Sequence, residues 1–76
     1  RKEDGEMNKN LLYSEIVKNG FTWADVAKEI GVNPVTLYRK VKGESDFTRA
    51  EVQKIKAFLN LDFSDVEKIF FGEDFA

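Results

Sequence analysis

Apolar residues recur along this chain at the three- and four-residue spacing of helices, in short runs broken by polar turns. No stretch alternates with the two-residue period of a strand, so no sheet is expected. Leu12, Ile16 and Val17 fit one face of a first helix over about residues 9–18, closed by Asn19-Gly20. Thr22-Trp23-Ala24-Asp25 reads as a capping box, with Phe21 and Val26 as the hydrophobic staple around it, opening a second helix that runs to about Ile30. Asn33-Pro34 opens a third: Asn is a strong N-cap, and Pro suits a first position where no amide hydrogen is needed. That helix reaches about Lys42 and is closed by Gly43. Thr48 and Glu51 form a further box, stapled by Phe47 and Val52, ahead of a helix with Val52, Ile55, Ala57, Phe58 and Leu59 on its apolar side. Ser64-Asp65-Val66-Glu67 predicts a short fifth helix through Val66, Ile69 and Phe70. The expected fold is all-α, a compact bundle of four to five short helices.

The second and third helices, about 23–30 and 34–42, are joined only by Gly31-Val32-Asn33. A turn that short, containing glycine, sets two helices at about 90–120° and lets the second project from the body, which is helix-turn-helix geometry. Ala27 is small where the helices must approach, and Val26, Ile30, Val32, Leu37 and Val41 can form the seam between them. With Leu37 and Val41 turned inward, Pro34, Val35, Thr36, Tyr38, Arg39, Lys40 and Lys42 fall outside.

Composition narrows the chemistry. With 76 residues, this is one domain, burying about 60% of the surface its unfolded chain exposes. There is no cysteine and no histidine, which removes disulfides, thiolate or imidazole metal sites and Cys- or His-based nucleophilic catalysis; no cofactor and no enzymatic activity are expected. No apolar run approaches membrane-spanning length or follows the N-terminal charges as in a signal peptide, so a soluble cytoplasmic protein is expected. Residues 1–6 are charged and precede the only methionine; they read as an appended or disordered arm, with the domain over 7–76. The net charge of −2 is unevenly spread. Residues 33–43 hold Arg39, Lys40 and Lys42 with no acid, while residues 57–76 hold Asp62, Asp65, Glu67, Glu73 and Asp74 against Lys68.

The run Thr-x-x-Asp-Val-Ala-x-x-Ile-Gly-Val-x-x-x-Thr-Leu-x-Arg-Lys-Val-x-Gly, over residues 22–43, resembles the motif of lambda-repressor/Cro-like (xenobiotic-response-element type) phage and prophage regulators, with the similarity covering about residues 10–60. The resemblance implies a five-helix bundle whose second helix crosses the DNA backbone and whose third lies in the major groove, hence operator binding and transcriptional control. Many relatives carry Gln at the position of Trp23, whose indole N–H can still reach a phosphate, or whose ring can instead cover the core. Docking of this kind takes base contacts from the first turns of the recognition helix, which points to Pro34, Val35, Thr36, Tyr38 and Arg39. Arg39 can pair bidentately with guanine, worth about 1–3 kcal/mol of discrimination. Val35 and the Thr36 methyl can touch a thymine methyl, and Tyr38 a phosphate or sugar. Phosphate contacts are expected from Thr22, Trp23, Asn33, Lys40 and Lys42, with Lys28 and Arg49 as further cations. The cations closing the third helix would equally complement its dipole with no DNA present.

Val66, Ile69, Phe70, Phe71 and Phe75 are too aromatic for an exposed tail. Ile69 and Phe70 can complete the core, while adjacent Phe70 and Phe71 cannot both point into it from one helix, which suggests a homodimer contact. A rival reading is a helical protein-interaction module, an adaptor or antirepressor gripping its partner through the acidic, Phe-rich C-terminal segment.

Overall fold

A computed structural model gives the structure of residues 7–71. Among them are α1 (Lys9–Lys18), α2 (Trp23–Ile30), α3 (Pro34–Lys42), α4 (Arg49–Phe58) and α5 (Phe63–Phe70), and no strand. The proposed arm, residues 1–6, and Phe75 lie outside the described residues.

Each helix begins on a side chain that satisfies an otherwise orphaned amide. Asn8 Oδ1 accepts from the Leu11 amide at 3.0 Å. In the Thr22–Asp25 box the short Asp carboxylate still reaches back, accepting from the Thr22 amide at 2.8 Å. Asn33 Oδ1 accepts from the Thr36 amide at 2.8 Å, with Pro34 in the first turn. Glu51 Oε1 accepts from the Thr48 amide at 2.9 Å to complete the box of α4.

The start of α5 corrects the expected one. Its cap is Asp62, boxed with Asp65, and not Ser64 with Glu67. The reason is the staple: Leu61 before Asp62 and Val66 four residues after it are both buried. A start on Ser64 would have had to staple Phe63 to Lys68, which is no apolar pair. The shift places Phe63 in the first turn, 69% exposed.

At the other ends, Gly31 and Gly43 take the left-handed conformation at φ 82° and 91°. The following amides, Val32 and Glu44, donate to the carbonyls of Ala27 and Arg39, closing α2 and α3. Asn60 does the same work for α4 at φ 57°, with the Leu61 amide donating to the Lys56 carbonyl.

The core runs through all five helices: Leu12 and Ile16, then Val26, Ala27 and Ile30, then Leu37 and Val41, Ile55 with Leu59 and Leu61, and Val66, Ile69 and Phe70. No polar or charged residue is buried as a whole among the described residues. Helix α2 is central, packing on α1, α3 and α4, while α5 closes on α1 and α4. Phe21 stacks on Phe58 with ring centres 4.2 Å apart, tying the α1–α2 turn to the end of α4. Val17, expected on the inner face of α1, is exposed instead, because Ile16 takes the adjacent inward position. No helix among the described residues is long and apolar enough to cross a membrane.

Candidate functional site

Helix α3 presents the face that the sequence singles out. Leu37 and Val41 are buried one turn apart, and this anchoring turns the opposite side of the helix to solvent. Pro34, Val35, Tyr38 and Arg39 are exposed, with Thr36 half-exposed beside them. Arg39 enters no ion pair with another described residue, so no described carboxylate holds its guanidinium fork. Its main-chain carbonyl, by contrast, is used to close the helix. The five residues expected to touch bases therefore share one outward surface, rising from the turn that joins α2 to α3.

Around this surface stand the residues assigned to phosphates, and here the structure sorts them. Lys42 is exposed, 3.2 Å from Glu44 and with its ammonium 5.1 Å from the centre of the Tyr38 ring. An exposed ion pair of this kind is worth at most about 1 kcal/mol, so it does not hold Lys42 back from another anion. The side chain of Asn33 spends its oxygen on the Thr36 amide and keeps its amide nitrogen as a donor. Thr22 is more committed, for its hydroxyl accepts from the Asp25 amide at 3.3 Å and donates to Asp25 Oδ2 at 3.1 Å. Trp23 is half-buried, its ring stacked 5.7 Å from that of Tyr13 at 15°. It packs against the core while one edge stays at the surface.

Lys40 departs from the sequence expectation. Its ammonium lies 3.0 Å from Glu51 Oε1, donates to the Asp46 carbonyl at 2.9 Å and sits 5.9 Å from the Phe47 ring centre. Only 9% of its side chain is exposed. It braces the α3–α4 connection and is not part of the outward cationic set. Helical phase carried the signal: Lys40 is three residues after Leu37 and next to Val41, so it borders the inner seam. Partial burial pushes the Glu51 carboxyl up, but the Thr48 amide and the Lys40 ammonium outweigh burial and hold it below its ordinary value.

Sequence reasoning also missed Lys9 and Tyr13 of α1, which adjoin this surface. An apolar crevice of about 250 Å³ is walled by Lys9, Trp23, Pro34, Leu37, Tyr38 and Val41, so three helices meet there. Nothing in the spacing of one helix could have shown it.

The proposed C-terminal contact divides in two. Phe70 is buried, packed edge-on against Phe47 with ring centres 5.2 Å apart, and so is not available to a partner. Phe71 is 57% exposed. The two neighbours point apart as helical geometry demands, and the exposed aromatics of α5 are Phe63 in its first turn and Phe71 at its close.

A protein-family model described as Helix-turn-helix matches residues 12–66, from the first buried leucine of α1 to the middle of α5. No curated protein matches. No solved structure matches.

Proposed function

The chain belongs to the lambda-repressor/Cro-like helix-turn-helix family and is a DNA-binding helix-turn-helix regulator; from that premise we propose that it reads a specific duplex sequence with α3 in the major groove and acts as a repressor of prophage type. The observation that supports this most is the division of α3 into a buried edge, Leu37 and Val41, and an outward face of Val35, Thr36, Tyr38 and Arg39 that enters no ion pair among the described residues. A helix held so rigidly by its inner edge presents side chains at fixed positions, which base readout requires.

In this reading Arg39 reads guanine with two parallel hydrogen bonds, and Val35 with the Thr36 methyl packs on thymine methyls. Pro34 sets the approach of the helix start, and Tyr38 reaches sugar or phosphate. Lys42 and the Asn33 amide nitrogen hold the backbone, joined by the indole N–H of Trp23. The first-turn amides of α2 supply what the Thr22 hydroxyl, occupied in its box, does not. Phe71 and Phe63 form the contact with a second copy, which would face half-sites about 34–36 Å apart.

A heteronuclear titration with duplexes selected from a random pool tests the reading. At low salt the resonances of residues 33–42 should shift, and more for selected than for random duplexes. Unmoved resonances there, with shifts confined to residues 62–71 on adding a protein partner, would favour the second reading, a protein-interaction module, which the exposure of Phe63 and Phe71 supports.

A further inference from the structure

We infer that Lys9, at the first position of α1, is a phosphate ligand of the DNA-binding face and takes the place that the charge pattern of the helix-turn-helix sequence gives to Lys40. The inference rests on the DNA-binding reading and extends its contact surface to a helix outside the two-helix motif.

Three observations place Lys9 there. The first is the crevice it shares with Trp23, Pro34 and Tyr38. Trp23 and Pro34 are the first residues of α2 and α3, so the starts of both helices converge on the Lys9 side chain. The second is the stack of Tyr13 on Trp23. Residues four apart lie on one helix face, so Lys9 is the next side chain along α1 from that stack. The third is the anchoring of the helix start: the Asn8 side chain caps it, and the Asn8 amide donates to the Ile69 carbonyl at 2.6 Å. Lys9 thus stands on a fixed support, not on a fraying terminus.

Chemistry then selects the ligand. The crevice walls other than Lys9 are apolar or aromatic, which suits the methylene stem of a lysine but offers its ammonium no anionic partner. The ammonium is therefore directed to the rim, where residues of the outward face stand. Lys9 also lines the adjoining groove with Lys40 and Lys42, and of these three cations Lys40 is the one already held by Glu51. A compact point charge on a flexible stem suits a phosphate oxygen better than the fixed fork of a base edge. Lys40 cannot fill this role while its ammonium is held by Glu51 and the Asp46 carbonyl.

The test is the salt dependence of binding by the whole chain, measured for Lys9→Met, Lys9→Arg and Lys40→Met against one selected and one random duplex. Each phosphate neutralised contributes about 0.9 to the slope of log affinity on log salt. Lys9→Met should make the slope shallower by about that amount and weaken both duplexes by the same factor. Lys9→Arg should restore the slope, which a merely structural role would not produce. Lys40→Met should leave it unchanged. A parental slope in Lys9→Met overturns the assignment of Lys9 alone, as does a slope lost in Lys40→Met in its stead. Should the unaltered chain bind neither duplex, the DNA reading itself falls, and Lys9 with it.

Discussion

The ammonium of Lys40 stands 3.0 Å from Glu51 Oε1, across the connection between α3 and α4, and the same carboxylate oxygen accepts from the Thr48 amide that opens α4. One oxygen thus serves both the cap of a helix and the brace of its neighbour. Lys40→Ala should cost about 1.5–3 kcal/mol, the range for a hydrogen bond to a charged group, because it also strips the Asp46 carbonyl of its donor. Thermal unfolding checks it: a domain this small loses about 4–8 °C per kcal/mol. Unchanged melting would mean that the brace carries no net stability.

Acid should release the same brace. The Glu51 carboxyl is held below its ordinary 4.5 in the folded chain, so the folded state favours the ionised form. The stability this contributes is present above the unfolded value and is lost as pH falls from about 4.5 through the lower folded value. Unfolding free energy measured from pH 6 down to pH 3 should fall less steeply in Glu51→Gln than in the parent. Parallel curves would exclude Glu51 as a source of the acid sensitivity.

Leu37 is the fixed inner edge of α3, fully enclosed in the core. Leu37→Ala should cost about 2–5 kcal/mol through lost burial and the cavity left behind. Against a total of roughly 0.05–0.15 kcal/mol per residue, that is a large share for this chain. Urea denaturation measures it, and DNA affinity should fall with it as α3 loses its seat.

Arg39→Ala should act differently, leaving stability within about 0.5 kcal/mol since the side chain is exposed and away from the core. The preference for a selected over a random duplex should shrink by about 1–3 kcal/mol, if the guanidinium reads a base. Competition binding gives the ratio directly, and an equal loss on both duplexes would move Arg39 to the phosphates.

The turn of the motif offers a cleaner backbone test. A methyl group at Gly31 would meet no atom within 4 Å, so Gly31→Ala is opposed by φ alone. The expected cost is about 1–2 kcal/mol. Gly31→Asn should recover part of it in the same melting experiment, since Asn tolerates the left-handed region.

What could be read from the sequence divides along physical lines. Caps, staples and closing glycines act within a few residues, so α1 to α4 stand where Asn33-Pro34, Thr48-Glu51 and their counterparts predict. The start of α5 was misplaced where two acceptor residues competed and the decision lay in the burial of Leu61. Leu37 and Val41 were legible as an inner pair because helical phase alone sets it. Phase also sets Lys40 beside that seam, but neither its partners nor the place of Lys9 could be read, because both come from other helices: the brace spans eleven residues, from Lys40 to Glu51, and Lys9 meets Tyr38 only through the packing of α1 on the motif. The charge pattern showed a cationic segment without saying which cations the fold keeps for itself.

The bond from the Asn8 amide to the Ile69 carbonyl sets two distant points of the chain side by side. Chain leaving on either side of this bond departs from one place, which is the arrangement that lets a domain be seated within a loop of a host protein.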